Sequence, residues 1–174
     1  MSHSDQLSIA LFGGSFDPPH LAHALVVTWA LACGEVDEVW VIPTGGHPFG
    51  KDLAPFEDRF QMCRLALERA GAMVRVLDAE REPRIHYTVD TIRRLAAEYP
   101  DRRWRWLMGS DTTSDAPHWK DFAELERLAP PLIIPRQGHG AGGGFAADFA
   151  LPDLSSTFLR RHLSAGRPAA ELTG

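Results

Sequence analysis

Short apolar runs alternate along the chain with stretches whose apolar positions recur at helical spacing. Leu7-Ser8-Ile9-Ala10-Leu11-Phe12 reads as a buried strand that ends at Gly13-Gly14. Leu21 to Cys33 is apolar nearly all round and predicts a helix stopped by Gly34. Val39-Trp40-Val41-Ile42 is a second strand, ended by Pro43. Phe56 to Ala70 is a helix with Phe60, Leu65 and Leu67 among its apolar positions and Gly71 as its stop. Met73 to Leu77 is a third strand, and Thr88 to Tyr99 a helix with Thr88 as N-cap. Trp104 to Met108 forms a fourth strand, Phe122 to Leu128 a helix and Pro131 to Ile134 a fifth strand. Residues 136–152 read as loop, and a last helix begins at Ser155 or Ser156 and runs to Ala165 before Gly166.

No internal repeat interrupts this alternation. Strands alternating with helices imply βαβ units with right-handed crossovers: an α/β, doubly wound parallel sheet of about five strands with helices on both faces. Ligands of such sheets sit beyond the carboxyl ends of the strands. That rule places Gly13–His23, Pro43–Lys51, Gly109–Asp111 and Arg136 on one rim.

Composition narrows the classes. The chain has 174 residues, 44% hydrophobic and 24% charged, with a formal net charge of −5. A length in the usual range of about 100–200 residues per domain predicts a single domain over 1–174. The acidity argues against a duplex nucleic-acid binder, which carries a basic footprint, but not against small phosphorylated ligands. No window holds the ~20 apolar residues of a membrane span, and the first residues lack the basic stretch of a signal peptide. Cys33 and Cys63 have no CxxC spacing, so the expectation is a reduced, cytoplasmic protein without a structural disulfide or zinc knuckle.

Two segments carry candidate chemistry. Gly13 and Gly14 let the backbone leave the first strand and pass close to a ligand. His20 and His23 then fall three apart on a first helical turn, where backbone N–H groups and the helix dipole favour an anion. The plain alternative is a Gly/Pro turn with two surface histidines; a zinc site lacks an obvious third ligand. At the other end, Leu154-Ser155-Ser156-Thr157-Phe158-Leu159-Arg160 sets hydroxyls at a helix start and an arginine one turn in, an arrangement suited to polyphosphate. Its plain alternative is a serine cap followed by a solvated arginine.

The run Gly13-Gly14-Ser15-Phe16-Asp17-Pro18-Pro19-His20, with His23 after it, resembles the strand-loop-helix signature of the nucleotidyltransferase α/β phosphodiesterase superfamily, whose hallmark is H-x-G-H. Within that superfamily the chain resembles the bacterial nicotinate/nicotinamide mononucleotide adenylyltransferases, which implies a Rossmann-like sheet. The hallmark glycine is Ala22 here, and the resemblance implies that its methyl shifts or weakens ATP binding. Leu154 to Arg160 resembles the family's I-S-S-T-x-x-R, which implies that its serines and Arg160 hold the β- and γ-phosphates of ATP.

The same resemblance extends through most of the chain. His86-Tyr87-Thr88-Val89-Asp90-Thr91 is similar to S-Y-T-x-D-T, with His86 in place of the serine, and implies that Tyr87 and Thr88 surround the pyridine carboxylate or amide. Met108-Gly109-Ser110-Asp111 is similar to L-G-A-D, whose Asp meets the adenosine; Trp119 stands at the spacing of an aromatic that stacks on the pyridine ring. Pro135-Arg136 resembles the start of V-x-R-x-G. Phe56-Glu57-Asp58-Arg59 with Met62 matches an R-x-x-M helix, a packing and positioning element. Ile42 to Lys51 departs from I-P-x-x-x-P-P-H-K: His47 stands four residues before Lys51, one replacing the lost histidine and the other reaching for the triphosphate. The end, Ala170 to Gly174, departs from the family's P-x-x-V-x-x-Y-I-like run.

The resemblance therefore implies adenylyl transfer from ATP, accompanied by Mg²⁺, to a pyridine mononucleotide, giving the dinucleotide and pyrophosphate. His20, His23, Lys51 and Arg160 would act on the phosphates. Gly13, Gly14, Ser15, Phe16, Gly109, Asp111, Arg136, Ser155, Ser156 and Thr157 would bind ATP; Asp17, His47, Tyr87, Thr88 and Trp119 would bind the acceptor. Three alternatives stand beside this: a catalytically weak nucleotide-binding homologue, favoured by Ala22, the altered 43–51 segment and the short C-terminus; transfer to another phosphomonoester such as phosphopantetheine; and an unrelated flavodoxin-like binding protein, in which both phosphate motifs would be coincidental. No metal ligand set, nucleic-acid surface or membrane contact is expected. The choice between nicotinate and nicotinamide stays open, and so does the oligomeric state, a homo-oligomer included.

Overall fold

The apolar runs become five parallel strands: β1 (Ser8–Gly14), β2 (Glu38–Pro43), β3 (Val74–Val76), β4 (Arg103–Gly109) and β5 (Pro131–Ile134), in the order β3-β2-β1-β4-β5. They are seen in a computed structural model that describes residues 6–32, 35–46, 50, 52–84, 86–135 and 154–173. The helices are α1 (Leu21–Ala32), α2 (Phe56–Leu67), α3 (Thr88–Glu98), α4 (Phe122–Leu128), α5 (Ser156–Ser164) and α6 (Ala170–Thr173). The expectations for Cys33, Gly34, His47, Lys51, Ile85, Arg136 and the loop 136–152 lie outside the described residues. Among the described residues no helix is long and apolar enough to cross a membrane.

Successive strand residues point to opposite faces, and here both faces are buried. Ala10, Val39, Val41 and Leu107 join Val26, Val27 and Ala30 of α1 and Cys63 and Leu67 of α2 on one side. Ile9, Leu11, Trp40, Ile42, Trp104, Trp106 and Met108 join Val89, Ile92 and Leu95 of α3 and Leu125 of α4 on the other. Such double burial is why the strands read as continuous apolar runs rather than as alternating ones.

The sheet opens where its order reverses. β1 pairs with β2 all the way to Gly14↔Pro43, but with β4 only as far as Leu11↔Trp106. Beyond that register the carboxyl ends of β1 and β4 part, leaving a crevice at the switch point of the sheet.

Three local expectations are corrected. Leu65 is 71% exposed, because the buried face of α2 is Arg59, Cys63 and Leu67, and Leu65 lies off that four-residue spacing. The α-helix ends at Leu67, not Ala70; a 3-10 stretch, Glu68–Met73, carries the chain on through Gly71 at φ 73°. Thr88 is the first helical residue rather than the cap of α3; Tyr87 holds that position and makes no side-chain capping bond.

The loop after β2 is pressed against the loop after β3. A Cβ built on Gly45 would lie 2.1 Å from the carbonyl oxygens of both Glu80 and Glu82. Gly45→Ala must therefore push backbone apart, and is expected to destabilise the protein by about 1–3 kcal/mol. Chemical denaturation of the variant beside the wild type measures it.

Candidate active site

The turn after β1 is folded inward. Phe16, with φ 48°, lies in a conformation that bulky residues seldom adopt, and its ring is buried against Phe12 (5.3 Å) and His23 (4.9 Å). The following Asp17–Pro18 peptide is cis. α1 then starts at Leu21 and brings the two histidines together: His20, 4% exposed, stacks on the His23 ring at 3.7 Å. The His20 backbone N–H donates to His23 Nδ1 at 3.1 Å. That nitrogen must be unprotonated to accept, so neutral His23 carries its proton on Nε2.

The start of α5 packs against this turn. Ser155 caps the helix, its Oγ accepting from the Phe158 N–H at 3.2 Å. Ser156 Oγ donates to the Pro18 carbonyl at 2.8 Å. Arg160 donates to the Asp17 carbonyl through Nη1, lies 3.8 Å from the Asp17 carboxylate and reaches Thr157 Oγ1 at 3.3 Å through Nη2. A cleft of about 530 Å³ results, walled by Ser15, Phe16, Asp17 and His23 from one end of the chain and by Ser155, Ser156, Thr157 and Arg160 from the other.

A second cleft, about 300 Å³, fills the crevice between β1 and β4. Gly13, Gly14 and Ser15 form one wall; Trp106 and Trp119 another; Thr44, Glu80, His86, Thr88 and Thr91 close it. Trp119 is 37% exposed and leans on the buried Trp106 at 5.1 Å, tilted by 43°. Its platform is thus backed by the core and open on one side. Thr91 Oγ1 donates to the Glu80 carboxylate at 2.7 Å, fixing that loop to α3. Ser15 lines both clefts.

The sequence-derived candidates therefore divide. His23, Ser15, Phe16, Asp17, Ser155, Ser156, Thr157 and Arg160 converge on the larger cleft, with His20 packed behind His23. Gly13, Gly14, Thr88 and Trp119 line the smaller one. Asp17 stands with Arg160 rather than beside Thr88 and Trp119. Tyr87 lines an adjoining groove with Arg84 and Arg94, its ring under Lys120 at 4.7 Å. Gly109 ends β4, and Asp111 lies exposed in the 3-10 turn that follows. Ala22 is 5% exposed and is not among the residues that line either cleft. Among the described residues no group of three or more His, Cys, Asp or Glu is placed to hold a metal ion.

The model for cytidylyltransferase-like proteins matches residues 11–162. The chain belongs to the cytidylyltransferase-like family. It is 47% identical over 162 residues to a probable nicotinate-nucleotide adenylyltransferase of Anaeromyxobacter sp. (strain K), covering 91% of this chain and 84% of that protein. A probable nicotinate-nucleotide adenylyltransferase of Myxococcus xanthus (strain DK1622) is 39% identical over 167 residues, covering 95% and 87%. These relatives set the chain among the nucleotidyltransferase enzymes of the family, as its motifs imply. In fold it is similar to the Plasmodium falciparum nicotinic acid mononucleotide adenylyltransferase complexed with NaAD, with a TM-score of 0.79 at 21% identity over 94% of this chain and 87% of that one.

Trp106 and Glu80 are given no role by the sequence reading, and Arg59 enters it only through the R-x-x-M match. Trp106 lies on the same face of β4 as Trp104 and Met108, two apart in a strand, and that periodicity could have pointed it toward the ligand side. Glu80 sits among neighbouring charges in a loop, and no local pattern separates it from them. Arg59 is the charged residue on the apolar face of α2, and that misplacement was the available signal.

Electrostatics around the clefts follow from contacts. Burial holds the Arg59 pKa below its usual value, with Asp17 and Cys63 pulling it back up. Burial pushes the Cys63 thiol up to about 12, against a smaller opposite effect of Arg59. The Asp90 carboxyl is held below its usual range, chiefly by the hydrogen bond from Lys120 (2.7 Å) and also by Arg93 (2.8 Å).

Two measurements check these shifts. Cys63 should stay protonated and unlabelled by iodoacetamide at pH 8 in the native protein but react once unfolded, read by peptide mapping, because the thiolate is the nucleophile. Folding lowers the Asp90 pKa, so its contribution is present above the unfolded value and is lost as pH falls through the folded one. Lys120→Met is expected to raise the Asp90 pKa toward the ordinary carboxylate range in an NMR titration.

Proposed function

We propose that the enzyme transfers AMP from ATP to nicotinate mononucleotide, forming the dinucleotide and releasing pyrophosphate, a step of NAD biosynthesis. The observation that carries this reading is the convergence of both phosphate motifs on one cleft that shares Ser15 with a second, tryptophan-walled cleft. A nucleotide triphosphate suits the first, a flat ring the second. The names of the relatives support nicotinate as the acceptor ring.

The phosphate oxygen of the mononucleotide attacks the α-phosphorus of ATP in line. A P–O bond forms there, the bond to the β-phosphate bridging oxygen breaks, and pyrophosphate departs with that electron pair. A phosphomonoester with a second pKa near 6 is already ionised at neutral pH, so the attack needs no general base. The protein's share is positioning and stabilisation of charge.

His23, with Nε2–H as donor, and the adjacent His20 serve the α- and β-phosphates. Ser156 and Arg160 serve the departing pyrophosphate, which requires Arg160 to exchange its contact with the Asp17 carbonyl for phosphate oxygens. Lys51 and Arg136 would reach the triphosphate, and His47 the acceptor, from segments outside the described residues. Thr88 and Trp119 hold the pyridine ring, with Tyr87 in the adjoining groove. The larger cleft offers hydroxyls, the His23 imidazole and the Arg160 guanidinium to phosphate oxygens, and its carboxylates, Asp17 and Asp52, are too few to cage a cation by themselves, so Mg²⁺ would be carried mainly by the phosphates and water and offset their charge.

ATP and Mg²⁺ supplied with nicotinate mononucleotide, nicotinamide mononucleotide or phosphopantetheine, with pyrophosphate and product mass both read, test the assignment. Turnover with the nicotinate form is expected; ATP binding without turnover of either pyridine mononucleotide would overturn it. His20→Ala is expected to lower kcat by about 100-fold. A loss within about threefold, under 1 kcal/mol of barrier, would mean the phosphate site lies elsewhere.

A further inference from the structure

Arg59 is 1% exposed and yet lines neither cleft. Its guanidinium donates to three backbone carbonyls: Nη1 to Ser15, Nη2 to Thr44 and Nε to Ala54, each at 2.8 Å. The acceptors belong to three separate segments: the turn after β1, the loop after β2 and the stretch that enters α2. Sheet pairing between β1 and β2 ends at Gly14↔Pro43, with one further backbone bond from the Thr44 N–H to the Gly14 carbonyl at 2.9 Å. Beyond that point the Arg59 fork takes over the work of the ladder.

We propose that Arg59 is a positioning residue for adenylyl transfer, holding the Ser15–Phe16 peptide, the wall common to both clefts, in its working orientation. The inference rests on the proposed reaction. A trans peptide sets its N–H opposite its C=O, so drawing the Ser15 carbonyl toward Arg59 turns the Phe16 N–H away from it. Phe16 itself sits at φ 48°, a conformation that persists only where its surroundings enforce it. Only a planar guanidinium presents donors in a fixed fork that meets several carbonyls at once; a lysine ammonium carries the same charge without that geometry.

Arg59→Lys separates these roles, because it keeps the charge and removes the fork. The folded variant is expected to lose about 10- to 100-fold in kcat, the scale of a sub-ångström to ångström displacement of reacting groups, with smaller changes in either KM. Hydrogen exchange should quicken together in peptides covering residues 13–17, 44–46 and 52–55, while α3 stays protected. Arg59→Ala assayed with millimolar methylguanidinium adds a second readout, with rescue by methylguanidinium and not by methylammonium. A kcat within about threefold of wild type in folded Arg59→Lys, a change in exchange confined to α2, or failure of Arg59→Lys to fold would overturn the proposal and leave Arg59 a stabilising residue only. Wild-type enzyme that fails to turn over sinks the reaction instead, and the exchange experiment still reads the positioning.

Discussion

A parallel sheet covered by helices on both faces has only the ends of its strands left to meet a ligand. In this chain that constraint is sharpened by one event in the hydrogen-bond ladder, the early parting of β1 from β4 after Leu11↔Trp106. The gap falls between strands that lead the chain to opposite sides of the sheet. On one side Trp106, Trp119 and the first turn of α3 close around it; on the other the His20–His23 pair and the start of α5 approach the same turn. The position of nearly every candidate residue follows from where the strands stop.

The fold was legible because its cause is the same periodicity that a reader of the sequence uses. Pro131–Ile134 and Phe122–Leu128 appear with the bounds their apolar patterns predict, and β1 differs only in beginning at Ser8 and extending through the glycines. Errors came where a second requirement outweighed periodicity. Leu65 fits a helical count but not the face that Cys63 and Leu67 bury. Gly71 ends the α2 region, but the chain tightens into a 3-10 stretch before reaching it.

The candidate site was legible in part, and the division is physical. Motifs that bind phosphate are written locally, because a strand end, a helix start and a few hydroxyls lie within one short run; Gly13 to His23 and Leu154 to Arg160 are of that kind. Residues whose role depends on contacts between distant segments leave no local trace of what they touch. Glu80 meets Thr91 across a turn, and Arg59 meets Ser15 across 44 positions. The outer network, in which Arg93 joins Asp90 on α3 to Asp121 before α4 and Glu124 within it, is largely exposed, and such pairs contribute little stability. With Lys120 on Asp90, the network spans from α3 to the turn that bears Trp119.

Ser15 is wall to both clefts, and this has a consequence for how two ligands can be taken up. A ligand that shifted Ser15 from one side would alter the shape offered on the other, and the two affinities would then be linked. Thermodynamic reciprocity then requires that whatever factor the first imposes on the second is returned in equal measure. Path independence makes the energy of the filled state the same whichever ligand arrives first; what a shared serine peptide adds is a route by which each arrival is felt by the other.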